Sequence, residues 1–105
     1  MTITFSAHGL ERYNERVLPL YPSTKPETLL KLALRKGFNL YELDKDTRRQ
    51  LSRVQHNSKA GNCFIFYNCF AFIFRYQAKE NNYHLITVHD LPSKVRFKYG
   101  GFMKD

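Results

Sequence analysis

The sequence predicts an α+β domain in which N-terminal helices pack on one face of a three- to four-stranded antiparallel sheet. Three observations predict it. Helix-period patterning with capping residues occupies the first half of the chain, and aromatic, β-forming runs of period two occupy the second. The length, 105 residues, suits one core, so residues 1–105 are read as a single domain.

The elements follow in order. Thr2 to Phe5 alternates polar and apolar residues, as a short edge strand does. Ser6 is placed as the N-cap of a helix from Ala7 to Val17, on which Leu10, Tyr13 and Val17 would face the core. Pro19 and Pro22 end that helix. Thr24 and Glu27 have the spacing of a capping box, with Pro26 in the tolerant first turn of a second helix. Leu29, Leu30, Leu32, Ala33 and Leu34 give it a broad apolar arc, and Arg35, Lys36 and Gly37 suit its end. Asp44 to Val54 reads either as a third, shorter helix or as an irregular basic segment.

Strands come next. Phe64 to Tyr67 and Phe70 to Tyr76 flank a tight turn at Asn68 and Cys69. A second turn at Lys79 to Asn82 leads into a strand from His84 to His89, and Val95 to Tyr99 adds a fourth after Pro92. Alternation puts Phe70, Phe72 and Phe74 on one face and Ala71, Ile73 and Arg75 on the other. In the next strand, Ile86 and Val88 oppose Leu85, Thr87 and His89. With the apolar sets facing the helices, Arg75, Thr87 and His89 come together on the open face.

Charge narrows the class of partner. Seventeen Lys and Arg against nine Asp and Glu give a net charge of +8, a field that attracts phosphate-bearing polymers. A solubilising charge is the plainer reading of the same numbers. The apolar stretch from Cys63 to Phe74 is too short to cross a bilayer, and nothing near Met1 reads as a signal peptide. The expected place is the cytoplasm, and no membrane partner is expected. Cys63 and Cys69 then read as small buried hydrophobes. Metal-ligand spacings such as CxxC or HxxxH do not occur, and no metal or cofactor is expected.

Three sets of residues carry chemistry. On the first helix, His8, Arg12 and Arg16 recur at i, i+4 and i+8 beside Glu11. Cleavage of RNA by transesterification needs a base for the 2′-hydroxyl, an acid for the leaving oxygen and cations on the phosphate, which His, Glu and Arg supply. A solvated helix face with ordinary ion pairs is the alternative. Arg48, Arg49, Arg53, His56 and Lys59 form a basic segment with no acid from Thr47 to Lys59, suited to tracking an RNA backbone; a solvated loop, or a surface that docks an acidic protein, is the plainer reading. On the sheet, Arg75, Thr87 and His89, with Tyr67 or Tyr76 near them, can grip a phosphate and stack bases. A hydrogen-bonded strand histidine is the simpler account of His89, and His84 has the weaker claim of the two.

The stretch Ile3-Thr4-Phe5-Ser6-Ala7-His8-Gly9-Leu10-Glu11-Arg12-Tyr13-Asn14-Glu15-Arg16 resembles the opening of small bacterial and phage domains with an S-x-H-A-L-x-R-x-x-x-R helix. Those domains end in a strand like Leu85-Ile86-Thr87-Val88, and are related in fold to RelE-like toxins, barnase and colicin-D-type ribonucleases. The resemblance implies a RelE/barnase-like fold and a metal-independent ribonuclease, a toxin or phage effector. It also implies RNA as partner, ribosome-associated or free, and an acidic antitoxin-like protein as neutraliser. His8, Arg12 and Arg16 would be site residues, approached by Arg75 and Thr87 across the sheet. The other class of function is a non-catalytic basic phage or mobile-element protein that binds nucleic acid or inhibits a host factor, as anti-CRISPR proteins do. Two departures stand out. Gly9 replaces the usual Ala, at about 1 kcal/mol of helix propensity, and Val17 to Ser23 is longer and richer in proline than the usual turn.

Overall fold

The computed structural model describes residues 1–51 and 62–91. The expected strand Val95–Tyr99 and the basic residues Arg53, His56 and Lys59 lie outside the described residues. In chain order the elements are β1 (Thr2–Phe5), α1 (Ala7–Arg16), α2 (Pro26–Lys36), β2 (Phe38–Asn39), a 3-10 turn (Leu40–Glu42), α3 (Lys45–Gln50), β3 (Asn62–Tyr67), β4 (Phe70–Gln77) and β5 (Asn82–Asp90). The α+β class stands, but the sheet differs from the expected antiparallel one of three to four strands. It has five strands in the order β1-β5-β4-β3-β2, and β1 pairs parallel to β5. Thr2 to Phe5 carries no signal for a partner 80 residues away, and β2 is two residues long, too short to show a period.

The aromatic runs form the centre of the sheet. Asn68 and Asn81 take the left-handed conformation at the two hairpin connections, which asparagine tolerates better than most residues. Phe70, Phe72 and Phe74 face α1 and α2 and pack with Tyr13, Val17, Leu29, Leu30, Ala33, Leu85 and Val88. The sheet is not left open behind them. Leu43, Leu51 and Leu91 cover Phe64, Phe66, Ala71 and Ile73 on the second face. That face therefore has a covered half over β3 and β4 and a polar half towards β1 and β5.

The expected alternation of β5 fails at one point. Ile73 pairs with Thr87 and Phe74 with Leu85, so Ile86 is an extra residue in a β-bulge. The bulge shifts the parity: Leu85 and Val88, three apart, both join the helix-side core. Ile86 does not face the helices with Val88 but turns to the polar half with Thr87. Uninterrupted alternation cannot produce this.

The helix termini also refine the expectations. Ser6 caps α1, its Oγ accepting from Gly9 N–H at 2.8 Å. Leu10 is not part of the core face; it is 44% exposed, and Gly9, Tyr13 and Val17 make the buried line instead. The Thr24–Glu27 capping box does not form: Lys25 is the N-cap of α2 and makes no side-chain cap bond. Gly37 ends α2 in an extended conformation, and a Cβ there would come within 2.6 Å of the Ala33 carbonyl oxygen. Burial, followed by the neighbouring Tyr21, pushes the Tyr13 phenol up to about 12, so it stays un-ionised in the core.

No helix among the described residues is long and apolar enough to cross a membrane.

Candidate active site

The site follows from how α1 meets the sheet. β1 pairs with β5 as far as Leu85, and beyond it no strand among the described residues takes that edge. α1 takes over there. Ser6 N–H donates to the Leu85 carbonyl at 3.0 Å, Ser6 Oγ–H to the Ile86 carbonyl at 3.2 Å, and the Arg16 guanidinium to the Val88 carbonyl. Helix groups thus satisfy edge carbonyls that would otherwise offer a template for another chain. The approach is close enough that a Cβ on Gly9 would stand 2.2 Å from the Leu85 oxygen.

A helix on the edge presents one side to each face of the sheet. Tyr13 and Val17 enter the helix-side core. His8, Arg12 and Arg16 instead reach the polar half of the opposite face. There they line a cavity of about 400 Å³ together with Arg75, Thr87 and His89. Asn62, Ile73 and Ile86 complete its lining. Three arginines and two histidines thus surround it, and no carboxylate is among the described lining residues.

Each side chain has a distinct setting. Arg16 is held by the Val88 carbonyl and lies 3.8 Å from Asp90. Arg12 bonds Glu15 at 2.6 Å and lies 3.4 Å from Glu11. Arg75 is exposed and forms no ion pair with a described residue. Burial lowers the His89 imidazole below its ordinary range; the positive charges of Arg16, His8 and Arg12 add to this, and Asp90 opposes it. His89 is therefore the neutral imidazole at pH 7, a form that accepts a proton.

Of the residues singled out from the sequence, six meet in this cavity: His8, Arg12, Arg16, Arg75, Thr87 and His89. Glu11 is not among its lining; its exposed carboxylate points to Arg12 from outside. Arg48 and Arg49 sit on α3, away from the cavity, and Arg49 faces Asp46 at 3.9 Å. Tyr67 and Tyr76 lie on the other face of the sheet, Tyr67 in the helix-side core and Tyr76 against Tyr83. The sequence reading missed Asn62, Ile73 and Ile86. Asn62 lies directly across from Arg75, a relation that depends on the register of β3 and β4.

Comparisons with protein-family models, curated proteins and solved structures find no match for this chain. The lining itself therefore carries the chemistry. Two imidazoles can take and give protons, and guanidinium groups can hold a tetrahedral anion by paired hydrogen bonds. No cluster of three or more metal-ligating side chains occurs among the described residues.

The Arg12–Glu15 pair is exposed and competes with any anion for the guanidinium. Such pairs contribute about 0.2–1 kcal/mol. Glu15→Gln is expected to raise the affinity for inorganic phosphate about two- to fivefold, measured by following the histidine ring signals in an NMR titration. Unchanged affinity would remove Arg12 from the anion site.

Proposed function

We propose that this chain is a metal-independent ribonuclease with a RelE/barnase-like fold, a toxin or phage effector that cleaves RNA by acid–base transesterification. One observation carries the reading: two histidines on different elements face one cavity in which three arginines converge. Neutral His89 takes the 2′-hydroxyl proton as that oxygen attacks phosphorus. The bond from phosphorus to the 5′-oxygen of the next nucleotide breaks, and His8, as the acid, gives a proton to the leaving oxygen. The products are a 2′,3′-cyclic phosphate and a 5′-hydroxyl. Arg12, Arg16 and Arg75 stabilise the charge that builds on the phosphoryl oxygens, and Thr87 supplies a further hydroxyl donor. An acidic antitoxin-like protein would seat on the same cationic surface.

The test is cleavage of a labelled RNA in EDTA by wild type, His8→Ala and Arg12→Ala, with product ends identified by mass spectrometry. Cleavage to cyclic phosphate ends, lost in both variants, is the expected result. The pairing of Arg12 with Glu15 favours a second reading, a basic protein that binds nucleic acid or a host factor without cutting. Salt-sensitive binding by a well-folded wild type that leaves ribosome-bound and free RNA intact would establish that reading instead.

A further inference from the structure

One polar row of side chains adjoins the cavity. Cross-strand register aligns Asn62 of β3 with Arg75 of β4, Arg75 with His84 of β5, and His84 with Thr4 of β1. These four side chains form a line across the strands on the polar half of the face. Asn62 and Arg75 belong to the cavity lining, whereas His84 and Thr4 lie beyond it. From Thr87 to His84 is three residues, about 10 Å of extended chain, within the span of a dinucleotide.

The far end of the row is built rather than merely solvated. Thr4 Oγ1 and His84 Nδ1 share a hydrogen bond of 2.8 Å, which fixes the ring and leaves Nε2 as its remaining polar atom. Thr4 Oγ1 also accepts from the Asn82 amide at 2.8 Å. Asn82 is only 5% exposed, and it is held in turn by the Thr2 hydroxyl at 2.7 Å and the Gln77 side-chain oxygen at 2.7 Å. A buried amide network thus positions a hydroxyl that positions an imidazole, next to an arginine with no ion pair among the described residues. No carboxylate stands in the row. This is a set of groups suited to a phosphate, three residues along β5 from Thr87 of the first site.

We propose that His84 and Thr4, with Arg75 shared between the two sites, form a second phosphate subsite, so that the ligand is a single-stranded RNA held through successive phosphates. The inference rests on the reading that the cavity takes a phosphodiester. His84 is the contacting group, and Thr4 is a positioning residue acting through it.

The test measures binding separately from cleavage. A 2′-O-methyl dinucleotide with one internal phosphate and a 2′-O-methyl hexanucleotide, neither of which can be cut, are titrated by fluorescence anisotropy over a salt series. Wild type is expected to bind the hexanucleotide more tightly by about tenfold or more. His84→Ala and Thr4→Val should each remove most of that preference, leave dinucleotide affinity unchanged and flatten the hexanucleotide salt slope by about 0.7. Thr4→Ser, which keeps the hydroxyl, should behave as wild type; this separates a lost contact from a disturbed strand, and thermal melts check each variant's fold. If the variants keep the wild-type length preference and salt slope, the subsite is overturned while the cleavage reading stands. If wild type shows the preference, the variants lose it and unmodified RNA remains uncut, the subsite stands and the cleavage reading falls. Equal affinity of wild type for the two lengths, or binding of neither, also overturns the subsite.

Discussion

Gly9→Ala is expected to destabilise the protein by about 2–4 kcal/mol, against the direction that helix propensity predicts. Alanine inside a helix is favoured over glycine by about 1 kcal/mol, and Gly9 stands in the third position of α1. The structure reverses the sign. A Cβ at this position would lie 2.2 Å from the Leu85 carbonyl oxygen and 2.9 Å from its carbon. Both atoms are backbone in the middle of β5, so neither can rotate away. The helix would have to withdraw from the edge, losing the bonds from Ser6 to the Leu85 and Ile86 carbonyls. His8 and Arg12, on the same turns, would leave the cavity with it. Urea unfolding of the two proteins measures the difference directly. A higher midpoint for Gly9→Ala would show that α1 does not sit against β5 as described.

His89→Ala is expected to lower RNA cleavage by about 10²- to 10⁴-fold, with little change in RNA affinity because the three arginines remain. The pH dependence gives the sharper test. In the proposed mechanism His89 acts as base only when neutral, so the rate is expected to rise with pH through its titration and then level. Burial and the charges of Arg16, His8 and Arg12 depress that titration, which places the acid limb of the profile below pH 6.5. Among the described residues, Asp90 acts in the other direction. Asp90→Asn is therefore expected to move the limb to still lower pH. An acid limb that persists in His89→Ala would assign the base to another group. The same depression bears on stability. Between pH 6.5 and its folded-state titration, His89 binds its proton more readily in the unfolded chain. Stability is thus unaffected by His89 above that window and falls as pH drops through it.

Much of this architecture is legible in the residues alone. Ser6 marks the start of α1, the phenylalanines at 70, 72 and 74 declare their common face, and His8, Arg12 and Arg16 are spaced to act together. Arg75, Thr87 and His89 also share a face as alternation predicts, because the bulge falls before Thr87 and leaves Ile73 and Thr87 opposite each other. What escaped is non-local. The bulge is decided by two requirements on β5, to bury both Leu85 and Val88 and to meet α1, and no local pattern encodes it. The partner of β1 lies at the other end of the described chain. Gly9 looked like a weak point in a helix because propensity concerns the helix alone, whereas the strand it touches decides its value. Asn62 escaped, and His84 kept only a weak claim, for the same reason: a polar residue near a strand end acquires meaning only once its neighbours across the sheet are known.

The parallel pairing of β1 with β5 sets an order of events during synthesis. Residues 2–5 find their partners at 82–85, so the contact must close a loop of most of the described chain before it returns any stabilisation. β1 leaves the ribosome before β5 and waits while everything between is made. Until β5 has emerged, the cationic helix has no edge to seat on, and His8, Arg12 and Arg16 have no Arg75, Thr87 or His89 across from them. The pocket therefore exists only once β5 has been made, and a product truncated before β5 would keep the cationic helix without the Thr87 and His89 that complete its site.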